Sequence, residues 1–413
     1  MSELSRREFI KLAGATAAAA GLGGLSTACG GLVPGSAQKE LPIFGMWPLT
    51  GALADHAPGL KAGMTLALEE FGNKILDRPI KYIERDDETK ADVGVRRLEE
   101  TIESDNVKFL IGPWSSGVAV ATADVVKRRK VVNIVSVGTE EISGARCNRY
   151  AFQWAAQAYT AIDTDLQHFM RLNPNNKKWY LLIADYAFGH TMEKYVKLLA
   201  PKYGIEIVGT DRHPLDEKEM SGYATKAINS GANCVCMANF GLTAVQAQRT
   251  LFNFGFTPKN PVIWTWSVLV EEMTNLQQEM CENLWIGTSF YYTIDTPIAK
   301  AFVQKYRERY KQPPGYAGGA AYGMTRILLR AIEKAKSTEP ADVVKAMEGW
   351  EVDDLVGPMK IDAKTHQMWR PYFFVKCKKK AEMKDQYDYG DVVGTGNVQT
   401  PDDVMQCKSI GEL

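Results

Sequence analysis

VKFLIGPWSSGVAVATADVVKRRKVVNIVSVGT, residues 107–139, decides how this chain folds. Val107 to Ile111 is an apolar run short enough to be a buried strand, and Gly112-Pro113 stops it. Gly117 to Arg129 then reads as a helix, and Val131 to Val137 as a second buried strand. A strand, a helix and a strand in that order form a right-handed crossover between parallel neighbours. Both strands end in polar turns, Trp114-Ser115-Ser116 and Ser136-Val137-Gly138-Thr139. The first-turn amides of a helix lack partners and sit at the positive end of its dipole, so Ser115 and Ser116 are placed to hold a small anion such as a carboxylate. The same serines could equally do no more than cap the helix. In an open parallel sheet, ligands bind in the crevice beyond the carboxyl ends of the strands, which is where both turns lie.

The same alternation runs outward in both directions. Ile43 to Trp47 reads as the first strand, followed by a helix from Pro58 to Phe71 with Leu60, Met64, Leu68 and Phe71 at helical spacing. Ile80 to Glu84 is the second strand, and Thr89-Lys90-Ala91-Asp92 has the form of a capping box for the next helix. The three acids Asp86, Asp87 and Glu88 read as capping and solvated groups rather than a cation site. After Tyr150 a second series begins: helix Tyr159–Leu172, strand Trp179–Ala184, helix Thr191–Leu199, strand Ile205–Thr210, helix Tyr223–Ile228, strand Cys234–Ala238, helix Ala244–Phe252 and strand Val262–Thr265. From Thr296 the pattern turns helical, and Gly318-Gly319-Ala320-Ala321 offers a small-residue face to a neighbour. The alternation reads as an α/β chain with a parallel sheet in each of two similar lobes.

Residues 1–40 stand apart as a leader and tether. Ser5-Arg6-Arg7-Glu8-Phe9-Ile10-Lys11 resembles the twin-arginine export signal, with Arg6 and Arg7 as its readable pair, and a glycine-interrupted Ala-rich stretch follows. That stretch is too short and too weakly apolar to be a membrane anchor. Two ends to the leader stay open: lipidation at Cys29, in a partial lipoprotein box at Ser26-Thr27-Ala28-Cys29, or cleavage near Ala37. The protein is therefore expected in the periplasm or on the outer face of the cytoplasmic membrane. Cys147, Cys234, Cys236, Cys281, Cys377 and Cys407 then reach an oxidising compartment, and their spacing does not decide their pairing.

With 413 residues, 45% hydrophobic content and 49 basic against 49 acidic side chains, the chain is globular, and no charge excess points to nucleic acid. The run Lys376-Cys377-Lys378-Lys379-Lys380 reads as a solvated edge. No catalytic signature is present: no nucleophile elbow, no phosphate loop, no H-E-x-x-H and no dinucleotide fingerprint. The five histidines are scattered and read as surface or loop residues; no metal site and no cofactor are expected. What recurs is aromatic residues just past strand ends: Trp47, Trp114, Tyr186, Phe188, Phe240, Trp264 and Trp266. Gathered, they would make an apolar cleft with a few polar groups, the usual form of a small-molecule site.

These turns together resemble the type I periplasmic binding proteins, specifically the branched-chain amino acid (leucine/isoleucine/valine) receptors of ABC transporters. The resemblance rests on Pro48-Leu49-Thr50-Gly51, Asp86-Asp87, Ile111 to Ser116, Ser136 to Thr139, Asp185 to Gly189 and Gly357-Pro358-Met359. It implies an α/β fold of two doubly wound parallel-sheet lobes joined by three crossovers, residues 41–158 and 293–365 forming lobe 1 and residues 159–292 and 366–413 forming lobe 2, in a non-enzymatic receptor that closes on its ligand by a hinge and hands it to an ABC permease. By family position, Ser115, Ser116, Val137 and Thr139 would hold a ligand carboxylate, with Trp114 in the same turn. Phe188, with Tyr186 nearby, would close from the second lobe, and Phe240 would add an aromatic wall. Where the amino-acid binders carry a glutamate for the ligand ammonium, the nearest position is Trp266, and Asp185 is the acid that could replace it. The implied ligand is a small carboxylate: a branched-chain or aromatic amino acid, or a related apolar or aromatic acid, bound by a monomer. A sensor of the same fold serving a membrane receptor is the alternative, and an enzyme on a doubly wound fold is a third.

Overall fold

The computed structural model describes residues 39–412. Arg6, Arg7 and Cys29 lie outside the described residues. Residues 39–412 contain two main sheets and a small third one.

The first sheet is built from β1 (Leu41–Trp47), β2 (Lys74–Ile75), β3 (Arg78–Asp86), β4 (Phe109–Ile111), β5 (Val132–Val135) and β6 (Ala151–Gln153), in the order β2-β3-β1-β4-β5-β6. Apart from the β2–β3 hairpin, all neighbours run parallel. The helices α1 (Ala57–Glu70), α2 (Ala91–Asp105) and α3 (Ser116–Arg129) make the crossovers. The chain then passes to α4 (Ala158–Leu172), β7 (Lys178–Ala184), α5 (Ala187–Leu199), β8 (Glu206–His213), α6 (Ser221–Asn229), β9 (Cys234–Ala238), α7 (Leu242–Asn253), β10 (Val262–Trp264), α8 (Val270–Met273) and β11 (Leu284–Thr288). It returns through α9 (Pro297–Tyr310), α10 (Tyr316–Ala335), α11 (Pro340–Met347) and the small sheet β12 (Glu351–Asp354), β13 (Gly357–Ile361) and β14 (Met368–Trp369). It passes back once more into β15 (Tyr372–Cys377) and β16 (Gly390–Gly396), and α12 (Asp402–Met405) follows. The second sheet has the order β16-β15-β11-β10-β9-β7-β8, with the last two strands of the chain antiparallel on its edge. Its five parallel strands repeat the order of the first sheet, in which the second strand flanks the first. Each sheet thus reverses its strand order beside its first strand, at β1/β4 and at β7/β9. The result is two doubly wound halves joined by three crossovers.

The expected small-residue face packs α10 against α1. A Cβ on Gly63 would fall far inside van der Waals contact distance of the Gly318 carbonyl oxygen, so the two backbones touch with no side chain between them. Gly63→Val is accordingly expected to destabilise the fold by about 3 kcal/mol or more, because neither backbone can yield. Gly222→Ala, on an exposed stretch of α6 where nothing lies within reach of the new methyl, should leave the urea midpoint unchanged or slightly raised. Equal midpoints for the two variants would refute the close approach.

Several local expectations are corrected. Thr89 is not an N-cap: Lys90 holds that position without a side-chain bond, while the Thr89 hydroxyl accepts from Leu53 N. Asp87 is not solvated but wholly buried, one oxygen accepting from Thr89 N, and burial pushes its carboxyl up to about 7. Asp86 instead accepts from Leu49 N, Thr50 N and Glu88 N and from the Thr50 hydroxyl, tying the turn after β1 to the end of β3. Lys378 is no solvated edge residue either; it is buried and paired with Asp388 at 2.8 Å. His56, His213 and His366 are interior, whereas His168 and His190 make their bonds at the exposed surface. Cys147 and Cys407 form a disulfide that ties the C-terminal tail to the turn before β6. Cys234, Cys236, Cys281 and Cys377 are free and buried, as core residues. Among the described residues no helix is long and apolar enough to cross a membrane, and no cluster of His, Cys, Asp or Glu is arranged to hold a metal ion.

Candidate functional site

The turns that end the parallel strands of the two sheets face each other. One cavity is lined by Trp114 and Ser116 after β4, Ser136, Val137 and Gly138 after β5, Tyr186 and Phe188 after β7, Phe240 after β9, Trp266 after β10, and Tyr316, the first residue of α10. Every parallel strand next to a switch point except β1 contributes, which follows from where a doubly wound sheet leaves its crevice.

Local sequence places each group. Gly112 adopts φ +90°, and a Cβ there would meet Met46 O at 2.5 Å; this turn drops Trp114 behind β4 and starts α3 at Ser116. Ser115 is the N-cap residue of α3, buried, and its hydroxyl makes no capping bond. The capping role left open for it is therefore not filled by its side chain. Trp114 Nε1 donates to His56 Nδ1 at 2.9 Å, so His56 is neutral with its proton on Nε2. Burial lowers its pKa, opposed by Asp55, whose carboxylate is 3.5 Å from Nε2.

The aromatic residues form one continuous wall. Trp114 lies 5.2 Å from Tyr316 and 6.0 Å from Phe240, Phe240 lies 5.6 Å from Phe188, and Phe188 lies 5.7 Å from Tyr186. Trp266 joins through Tyr316 at 6.3 Å. The Phe188 ring packs directly over Gly138, where any side chain would collide with it, so the halves meet ring against backbone. The enclosed space is about 10 Å³, room for no more than a water molecule. A larger occupant requires the two halves to part or the rings to turn.

Trp266 is held at φ +125°, a region bulky L-residues rarely enter, at a cost on the order of 1–3 kcal/mol. Glu272 is what over-determines this turn. Fully buried, it accepts from Val268 N at 3.2 Å, from the Ser267 hydroxyl, and from Gly241 N at 2.7 Å in the neighbouring turn that carries Phe240. Its carboxyl is pushed up to about 8 by burial and by the nearby Asp55 and Glu271. Beside it, the Glu271 carboxylate is buried against the amides of Gly315 and Gly318 at the start of α10, and burial likewise raises it to about 8.

Of the residues singled out from sequence, Trp114, Ser116, Val137, Tyr186, Phe188, Phe240 and Trp266 line this cavity. Ser115 and Thr139 are buried nearby without lining it; the Thr139 hydroxyl lies 3.4 Å from that of Thr191 in α5, a polar contact between the halves. Asp185 is elsewhere: its carboxylate is exposed and bonded to His190 at 2.6 Å, and that bond holds its pKa down. Trp47 and Trp264 point into the cores, Trp47 donating to Tyr82 Oη. Ser136, Gly138 and Tyr316 were missed as wall residues, and His56 and Glu272 as their supports. Ser136 and Gly138 lie in the same strand-end turn as Val137 and Thr139. Tyr316 and Glu272 carry no local signal, since one opens a helix some 50 residues past the last crevice turn and the other lies on a short helix.

The family described as periplasmic binding protein matches residues 43–382, and the twin-arginine translocation signal matches residues 3–23. The Leu/Ile/Val-binding protein homolog 6 of Brucella melitensis is 23% identical over 335 residues, covering 78% of this chain and 83% of the relative. The crystal structure of an amino acid ABC transporter substrate-binding protein from Pseudomonas fluorescens Pf-5 is 31% identical, covers 90% of this chain and 99% of its own, and superposes with a TM-score of 0.85. A solute-binding protein from R. palustris, solved in complex with benzoate, shares the fold at 18% identity with a TM-score of 0.79 over 89% of this chain and 99% of its own. Such proteins are not enzymes; they bind small molecules and deliver them to a membrane permease. With its export signal, its paired doubly wound halves and its crevice between strand ends, this chain belongs to the periplasmic binding protein family, as a substrate-binding protein of the ABC-transporter type in the branched-chain amino acid receptor group, exported to the periplasm.

Proposed function

We propose that the cleft binds a small carboxylate with an apolar or aromatic body and that the closed protein, a monomer, presents it to an ABC permease. The observation that carries this reading is the joining of six aromatic rings from both halves to the hydroxyls of Ser116 and Ser136 around one cavity. The amides of the first turn of α3 and these hydroxyls suit a carboxylate, and the rings suit a greasy body, which gains about 25 cal/mol for each Å² buried. Two lobes, divided as residues 41–158 with 293–365 and 159–292 with 366–413, would close around the ligand by a hinge at the crossovers.

Within this group the choice lies between amino acids and simple acids. Asp185, the acid that could have met an ammonium, is turned to solvent, and Glu272 already accepts three hydrogen bonds from its own loops. A buried ammonium without an acceptor costs several kcal/mol, so acids lacking one are favoured. The benzoate of the R. palustris protein is a ligand of this kind. The test is a thermal-shift panel that pairs each branched or aromatic amino acid with its deaminated analogue, and adds benzoate. Saturation at a hundred times the dissociation constant adds about 2.7 kcal/mol, a shift of several degrees. The deaminated acids and benzoate should stabilise more than the amino acids. Stabilisation by amino acids alone would overturn the preference, and stabilisation by neither class would overturn the carboxylate reading.

A further inference from the structure

The three crossovers meet at one side chain. The chain leaves the first sheet at Trp154, leaves β11 at Ser289, and leaves the small sheet at Arg370. The Arg370 guanidinium donates to Trp154 O at 3.4 Å and to Ser289 O, and lies 3.8 Å from the centre of the Trp154 ring. It is 1% exposed, and its Nε has no partner. Among the described residues no carboxylate forms an ion pair with it. Asp354, the acid that bears on it, is already shared between Arg326 at 2.9 Å and Arg330 at 3.1 Å. The other buried acid of this region, Asp165, converges with Tyr372 Oη over Gly287, and burial pushes its carboxyl well up. Burial draws Arg370 down to about 9, which still leaves it charged.

A buried cation satisfied only by carbonyl dipoles and a ring face is costly unless an anion comes within reach. The Trp154 ring under the guanidinium packs on Gly323 of α10, and Tyr316, the first residue of that helix and a group on which the Arg370 charge acts, is where that field enters the cavity. Its Oη is 2.6 Å from Ser136 Oγ, both residues line the cavity, and the charge of Arg370 acts on the phenol against the effect of burial. A phenol polarised in this way is the stronger donor.

We propose that Arg370, held at the junction of the three crossovers, is the specificity-determining residue for ligand charge: its unpaired guanidinium, acting through Tyr316 and Ser136, makes the cleft prefer an anion over a neutral molecule of the same shape. This rests on the carboxylate reading above. The main-chain bonds to Trp154 and Ser289 keep the cation in place without neutralising it, so the same contacts that tie the crossovers also orient the charge.

The test is calorimetry on the exported protein with three isosteric pairs: benzoate and benzamide, 4-methylpentanoate and 4-methylpentanamide, L-leucine and L-leucinamide. In R370Q the affinity for the acid of each bound pair is expected to fall ~10- to 100-fold, the order set by a unit charge acting over several ångströms of partly screened medium. The affinity for the amide should stay within about threefold. R370K, which keeps the charge, should retain most of the discrimination. If R370Q does not fold, Y316F takes its place, since it leaves Arg370 tied to both carbonyls and removes only the phenol that transmits its field; the acids should again lose more than the amides. Equal losses for acid and amide would make Arg370 a structural tie only, and an unchanged acid-to-amide ratio would remove it from specificity; either overturns the proposal. If the unmodified protein binds none of the three acids, the carboxylate reading itself falls and this inference with it, a result seen before any variant is made.

Discussion

Trp114→Ala is expected to lower stability by about 3–5 kcal/mol and to weaken ligand binding at least a hundredfold. Trp114 is 3% exposed, sits between Tyr316, Phe240 and His56, and belongs to the first half while Phe240 belongs to the second. Its loss therefore opens a cavity in the core and removes the ring that bridges the halves. Trp114→Phe separates the two parts of the effect. It keeps most of the apolar contact but strips the donor from buried His56 Nδ1, a cost of about 1–3 kcal/mol. Urea denaturation reads the stability change, and calorimetry with the best acid from the thermal-shift panel reads the affinity. A Trp114→Ala protein that binds normally would show that the aromatic wall is packing and not a site.

Acidification from pH 8 to about 5.5 is expected to raise stability, by an amount on the order of several kcal/mol. Four interior carboxyls have folded-state pKa values above their ordinary range: Asp87 at about 7, Glu271 and Glu272 at about 8, and Asp165, raised well above it, each chiefly through burial. Such a group binds its proton more tightly in the folded state. Its contribution is complete below the unfolded pKa near 4 and is lost as pH climbs through the folded value. His56 works the other way, since its lowered pKa makes the unfolded chain the better proton acceptor below about 6.5, but it is one group against four. The urea midpoint should accordingly be higher at pH 5.5 than at pH 8. Glu271→Gln with Glu272→Gln should flatten most of that difference. A midpoint that is level or higher at pH 8 would show that these carboxyls are hydrated or rearrange, and that the turn holding Trp266 is looser than its hydrogen bonds indicate.

The sequence alone determined the alternation of strands and crossover helices, because apolar runs of strand length and helical spacing of Leu60, Met64 and Leu68 are local properties of the chain. It also determined that Ile111 to Ser116 and Ser136 to Thr139 lie at strand ends, since Gly112-Pro113 cannot continue a strand and a polar turn must reach solvent or a crevice. Tertiary structure decided which strand-end residues meet. Trp114, Phe188 and Phe240 turn toward one cavity while Trp47 and Trp264 turn into the cores, a difference of side-chain direction that strands set by register and not by residue type. Tertiary structure also turned Asp185 outward to His190, and drew Cys407 back to Cys147 across 260 residues. Glu272 and Arg370 lay beyond any sequence reading for the same reason. A charged side chain is buried only where distant backbone segments converge on it, and convergence of Gly241 with Val268, or of Trp154 with Ser289, is a property of the folded chain that no local stretch encodes.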